Sequence, residues 1–485
     1  MKKIVPDFIP DSVRDSLKSS LRGSLQSSLA SSRTILPKLS AVQDFTIQIL
    51  PYWFAAVVTA LVSVVFAKAF SWSEHFAQSW ALPHPGYAFF IIPIGLVLSA
   101  AFAHFFAPPA NGSGIPQLIA ALEVASKNPK LVDRLLGWRI IIVKFFGACV
   151  CAAGGGITGR EGPMLQISGS IFRVVQNYWP KFKIKFDPQS MILAGGAAGL
   201  ASAFNTPIGG VIFAIEELAK VHISHIRTSV FHAVIIAGLL TQALLGNYLY
   251  LSRISLQQYS LQSTFFLAFA SAGIGMLGAV FGLLIVKAND FRAKLAVRNR
   301  FIMTAGCGLI VATLFYFTTI DSLGSGRDLI TKLLTHPTEK VGPLLGISRV
   351  LGNYFTYSGG VIGGVFAPSL SSGAAFGAWL SQYVTGANPE VWILGGMVAF
   401  LTGVTRTPFT SLVLVLEMTD SHGIILDLML AAILAQGAAR LIDPVSFYEH
   451  MAHRILGGAN ALPVDNSADS SVDNLKESPS REPKI

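Results

Sequence analysis

Residues 159–163 read Gly159-Arg160-Glu161-Gly162-Pro163, two charges set between glycines and closed by a proline. Two other stretches share that form, Gly112-Ser113-Gly114-Ile115-Pro116 and Gly364-Val365-Phe366-Ala367-Pro368. In each, glycine lets the backbone turn sharply, and the closing proline suits the first turn of a new helix, where its missing N–H would be unpaired anyway. The flanking sequence decides the solvent. Of 485 residues, 52% are hydrophobic and 13% charged, against about 25% charged in a soluble domain. Apolar stretches such as Phe54–Ala67, Tyr87–Ala107, Val230–Leu245, Thr264–Val286 and Ile424–Leu441 approach the length that spans a hydrocarbon core. They are continuous rather than alternating, unlike the strands of a barrel. The fold class is therefore an all-α polytopic membrane protein.

In a bilayer, non-helical backbone is tolerated only where protein buries it or it lines a wet cavity. A helix that begins inside the membrane points unpaired N–H groups and its positive dipole end into the protein. Several such starts together hold an anion without a full positive charge. Conduction needs such binding, favourable yet weak enough to release. One Gly-Pro break is also an ordinary kink; three, with the Ser113 hydroxyl in one, point to an anion site.

The breaks belong to an internal repeat. Asn205-Thr206-Pro207 leads to Glu216, and Arg406-Thr407-Pro408 leads to Glu417, with nine residues from proline to glutamate in both. Gly195-Gly196 and Gly395-Gly396 lie upstream at nearly matching distance. Matching halves mark a duplicated bundle, and transporters often bind substrate where halves meet. We place the halves at roughly residues 46–250 and 260–458 of one transport domain spanning 46–458.

A carboxylate at a transmembrane helix centre costs about 2.5–3.5 kcal/mol on insertion scales, so its default reading is functional. Glu161 would compete with a mobile anion for the same amides, and protonation would release it. Burial disfavours its charged form, while Arg160 and the helix dipole favour it. Glu216 reads as a helix exit paired with Lys220, and Glu417 beside Asp420 as similarly structural. Glu217, on another face, is open to a part in proton transfer.

The remaining features exclude more than they assign. The net charge of +10 is scattered through loops and tails, which fits cytoplasmic-facing Lys and Arg and not a nucleic-acid partner. Cys149, Cys151 and Cys307 lie in apolar surroundings without a CxxC pair, as buried small side chains. No secretory signal is visible. In residues 1–45, Val13, Leu17, Leu21, Leu25 and Leu29 draw an apolar stripe for a helix on the bilayer surface, and the same stretch reads equally as a serine-rich disordered tail. Residues 459–485 have the composition of a disordered tail.

Together these residues resemble the CLC family of chloride channels and chloride/proton antiporters. The three breaks are similar to its selectivity-filter signatures and occur in the same order. Lys144-Phe145-Phe146-Gly147, Ala203-Phe204-Asn205-Thr206-Pro207 with Glu216-Glu217, and Leu416-Glu417-Met418-Thr419-Asp420 are similar too. The resemblance covers roughly residues 46–456. It implies a CLC-type fold of two inverted repeats with broken helices, and a homodimer with one pore per subunit. It also implies a bacterial inner membrane with both termini cytoplasmic. By the same resemblance, the Ser113 and Tyr448 hydroxyls and the Val365 and Phe366 amides hold the central chloride. Glu161 becomes the external gate and proton acceptor, and Glu217 the internal proton-transfer residue. Chloride is then substrate, and no cofactor or metal is expected.

Departures from the pattern are few. Tyr448 follows Pro444-Val445-Ser446-Phe447 at a slightly altered spacing, Gln117 stands where many relatives carry Glu, and Thr206 replaces a common small apolar residue. No paired cytoplasmic regulatory domain is expected after residue 458. Ser113 fits chloride over nitrate, whose relatives resemble Gly-Pro-Gly-Ile-Pro, and the filter differs from the fluoride-exporting branch. The presence of both glutamates favours an antiporter; a passive anion channel of the same fold is the alternative. An intramembrane enzyme pairing Ser113 with His104 is a remote one, since a nucleophilic serine wants a Gly-x-Ser-x-Gly-type setting and a base in reach.

Overall fold

The computed structural model describes residues 48–179, 187–218, 228–246, 250–251 and 261–460. The stripe from Val13 to Leu29, Lys220, and residues 461–485 lie outside the described residues. Helices α1 (Gln48–Ala81), α2 (Ala88–Phe106), α3 (Ile115–Val124), α4 (Pro129–Leu135) and α5 (Trp138–Ala153) lead to the break at Gly159. Then come α6 (Glu161–Tyr178), α7 (Pro188–Phe204), α8 (Pro207–Phe213) and α9 (Thr228–Leu245). The second half holds α10 (Leu261–Lys294), α11 (Val297–Phe317), α12 (Arg327–Thr335), α13 (Pro343–Ser358), α14 (Phe366–Ser381), α15 (Pro389–Thr405), α16 (Pro408–Thr419), α17 (Ile425–Ile442) and α18 (Phe447–Asn460).

Seven helical stretches among the described residues are long and apolar enough to cross a membrane, from Gln48–Ala81 to His422–Ile442. They carry exposed aromatics such as Phe105, Phe269 and Phe317. Inside them lie α7 and α15, buried from Gln189 to Phe204 and from Val391 to Thr405. Small residues permit that depth. A Cβ on Gly195 would stand 2.9 Å from the Gly169 Cα of α6, and one on Gly373 of α14 would stand 2.2 Å from the Gly396 oxygen of α15. Helices pack this closely in membranes where backbone meets backbone.

The repeat expected from the nine-residue spacing is visible element by element. Helices α7 and α15 both end on a left-handed residue, Asn205 (φ 57°) and Arg406 (φ 63°), and both successors begin with proline. Neither N-cap threonine, Thr206 or Thr407, caps its helix with its side chain. The other repeat supplies the cap. Glu216 accepts from Phe409 N (3.2 Å), Thr410 N (2.6 Å) and Thr410 Oγ1 (2.7 Å) at the start of α16. Glu417 accepts from Ile208 N (3.2 Å) and Gly209 N (2.8 Å) at the start of α8. Each helix thus meets the other's beginning with its own end, so α8 and α16 run antiparallel. Glu216 is structural as expected, with partners on Phe409 and Thr410 of the second repeat; the pairing expected with Lys220 lies outside the described residues. A carboxylate on unpaired amides opposes the positive end of the dipole and stabilises the start by about 0.5–2 kcal/mol.

Candidate functional site

The three breaks are tied to one another through their backbones. Gly112 N donates to Val361 O (3.0 Å), and Gly363 N donates back to Gly112 O (3.1 Å). Gly159 and Gly364 exchange both N–H···O bonds, each at 2.9 Å. Side chains brace the crossing. Lys144 is buried and donates to Ala110 O (2.9 Å) and Gly112 O (2.8 Å); Ser99 accepts from Ile362 N (3.1 Å); the Tyr357 hydroxyl accepts from Ser113 N (3.2 Å). Irregular backbone at this depth is therefore paired by protein, as a bilayer interior demands.

Helix starts gather around that crossing. Gly114, in the left-handed region at φ 111°, turns the chain into α3, which packs on α18 and α6. A Cβ on Gly162 would lie 2.3 Å from Ser113 Oγ and 3.3 Å from Gly364 Cα, so these three residues are in contact. Val365 and Phe366 open α14 and are buried, as are Gly162 and Pro163 in the first turn of α6 and Ile115 and Pro116 in that of α3. First-turn amides have no acceptor within their own helix.

The Ser113 and Tyr448 side chains are fully buried, and neither hydroxyl closes a hydrogen bond among the described residues. They lie near each other, and the Glu161 and Glu217 carboxylates are within electrostatic reach of Tyr448. A buried hydroxyl without a partner forfeits roughly 1–3 kcal/mol, which a ligand at this point can return. The His104 ring, the base weighed for Ser113, packs against Phe105 and Phe301 at centroid distances of 5.0 and 5.7 Å.

Glu161 is the first residue of α6 and is buried. Its Oε1 accepts from the Tyr250 hydroxyl at 3.1 Å, and its Oε2 has no partner among the described residues. A Cβ on Gly159 would fall 2.2 Å from Oε2, so only glycine leaves the carboxylate its place. The Arg160 and Arg327 guanidinium groups stand 5.6 and 5.0 Å from the Tyr250 ring, and Arg327 Nε donates to Tyr250 O at 3.1 Å. A cavity of about 20 Å³ adjoins the carboxylate, lined also by Glu74, His75 and Asp328. Glu217 lies on a single π-helical turn, Ala214–Leu218, that continues α8, and is buried. The turn separates it from Glu216, which faces α16. Gln117 donates to Asn111 O at 2.5 Å beside the first break, and Thr206 is buried at the head of α8. The three cysteines are free thiols, two buried and Cys149 half-buried.

Sequence reasoning passed over Tyr250, Arg327 and Tyr357, and named Lys144 within a motif without a role. Lys144 also carried a signal of its own, as a cation inside an apolar run.

Comparison with known proteins gives the family and the fold. Residues 94–440 match a family described as Voltage gated chloride channel. The H(+)/Cl(-) exchange transporter ClcA of Vibrio parahaemolyticus serotype O3:K6 is 31% identical over 374 residues, covering 73% of this chain and 76% of that protein. ClcA of Vibrio vulnificus strain YJ016 is 29% identical over 429 residues, covering 82% and 88%. Among solved structures, a slow cyanobacterial Cl-/H+ antiporter superposes with a TM-score of 0.73 at 24% identity, over 85% of this chain and 99% of that one. A CLC-type fluoride/proton antiporter gives 0.71 at 20% identity, over 84% and 98%.

Proposed function

The chain is an integral multi-pass membrane protein of the voltage gated chloride channel family, and from that premise we propose that it exchanges chloride for protons with Glu161 as the gate. The observation that carries the reading is the pair of neighbouring buried hydroxyls of Ser113 and Tyr448, neither of which closes a hydrogen bond among the described residues, where α3, α6 and α14 begin. An ion there is held by neutral donors and helix ends, so it binds without being trapped.

The mechanism follows from the placement of one carboxylate. A charged Glu161 and a chloride ion compete for the first-turn amides. Protonation removes the carboxylate's attraction and lets it leave, so occupancy by chloride and by proton are linked. The Val365 and Phe366 amides complete the central chloride site, and Glu217 passes the proton to the opposite side. Chloride is substrate, and the reaction needs no cofactor or metal. The protein works in a bacterial inner membrane as a homodimer with one route per subunit and both termini cytoplasmic, a reading supported by the family resemblance.

Liposomes loaded with chloride and a pH dye test this. An imposed chloride gradient should drive protons uphill, and Glu161→Gln should abolish that pumping while chloride still moves. Intact pumping in the variant refutes the gate; chloride flux without proton movement in the unaltered protein makes it a passive channel.

A further inference from the structure

A second cavity, of about 460 Å³, shares no lining residue with the one beside Glu161. It reaches the filter at Gly112, Tyr357 and Gly360 and extends along α18 to Gly458. Arg134, Arg292, Arg300 and Arg454 line it, one each from α4, α10, α11 and α18, and among the described residues no Asp or Glu does. Arg292 presses on the filter: a Cβ on Gly360 (φ 73°) would fall 2.1 Å from its Cζ. Its Nε is buried without a partner among the described residues. Arg300 is held in place by Leu295 O (2.9 Å) and Ala293 O (2.7 Å), and Arg454 by Asn289 O and by Asp290 at 3.2 Å.

Gathering four like charges that a single carboxylate, Asp290 on Arg454, answers only in part is unfavourable unless an anion joins them. With Asp290 on Arg454, one passing chloride answers one of the three charges that remain, and the volume falls within the roughly 300–1,000 Å³ of cavities that hold small organic ligands. Guanidinium forks fit phosphate oxygens in pairs. We propose that this cavity binds a phosphate-bearing anion of charge two or more through Arg292, Arg300 and Arg454, and that the bound anion closes the filter from this side. The closing half rests on the exchange reading above; the binding half does not. A neighbouring cavity of about 250 Å³ shares Arg292 and Arg300 and is lined by Val297 and Phe301, beside the exposed Phe105. The phosphate can therefore come from solution or from a lipid headgroup.

Two assays on the full chain test the proposal. Calorimetry with inorganic pyrophosphate reads binding. Exchange in vesicles of phosphatidylcholine alone, with added pyrophosphate, or with phosphatidic acid reads closure and its source. Binding is expected, with exchange slowed about fivefold or more; slowing by phosphatidic acid alone assigns the lipid. Arg292→Gln and Arg454→Gln should each weaken binding about tenfold, the scale of one charge-assisted hydrogen bond, and relieve the slowing relative to the variant's own uninhibited rate. Arg134→Gln, at the exposed rim, guards against misfolding of the other two and should weaken binding to a smaller degree. Binding undiminished in all three variants, or neither binding nor slowing by either phosphate source, overturns the site; binding without slowing overturns the closure. Failure of the unaltered protein to pump protons in phosphatidylcholine refutes antiport and leaves the calorimetry to judge the site.

Discussion

The Glu161 carboxylate stands between two sets of donors, the amides that open α6 and the Tyr250 hydroxyl 3.1 Å away. Tyr250 draws it toward the cavity shared with Arg160 and Arg327, and so away from the place a chloride ion would take. Tyr250→Phe keeps the ring against Phe204 and both arginines and removes only the hydroxyl. A hydrogen bond worth about 1 kcal/mol shifts an equilibrium roughly fivefold. The freed carboxylate should compete better, so the chloride concentration for half-maximal exchange should rise about that much. An unchanged half-saturation would show that the tyrosine does not position the gate. Ser113→Pro tests the other side of the ion, since loss of the hydroxyl should turn preference from chloride toward nitrate, measured as relative exchange rates. Equal selectivity would remove Ser113 from the ligands. Glu161 and Ser113 were legible because a polar group inside an apolar run calls for an account. Tyr250 was not, because 89 positions separate it from Glu161 and no motif surrounds it.

Among the elements, the pair α8 and α16 carries the most information for the least sequence. The nine-residue spacing predicted a duplication, and the fold has it. What the spacing hid was that each glutamate serves the other repeat, because that depends on two helices far apart in the chain lying antiparallel. Glu216→Ala or Glu417→Ala should cost about 0.5–2 kcal/mol, the size of a lost cap, and lower the melting temperature of the purified protein by a few degrees. A stability equal to that of the unaltered protein would mean that water satisfies those amides as well. Glycines at helix contacts make a sharper prediction. Gly373→Val must place carbon where the Gly396 oxygen already lies, at 2.2 Å, and should abolish folded protein in size-exclusion profiles. Gly457→Ala meets open space and should leave the profile intact. The Gly-Gly pairs were visible in the sequence, but which helix each touches was not, since small residues leave no directional trace.

Over the whole molecule, the proposed exchange asks for routes for two kinds of cargo that share Glu161 and then part. Chloride requires neutral donors in line, and the filter crossing with Ser113 and Tyr448 offers them. A proton requires titratable groups, and among the described residues the crossing past Glu161 offers no further carboxylate: its polar groups are hydroxyls, backbone amides and the Lys144 amine, which donates to two carbonyls. Glu217 is the buried carboxylate on the π turn after α8, within electrostatic reach of Tyr448 as Glu161 is. Retaining a carboxylate at that depth costs a few kcal/mol on insertion scales, and its neighbour Glu216 already supplies the helix cap. A separate proton route gives a reason for keeping a second acid beside it. Glu217→Gln keeps the shape and removes the titration. In chloride-loaded vesicles the variant should dissipate the chloride gradient at a rate comparable to the unaltered protein, while the interior dye reports no proton uptake against its gradient. Proton movement that persists in step with chloride would move the inner route to another residue and leave Glu217 a structural acid.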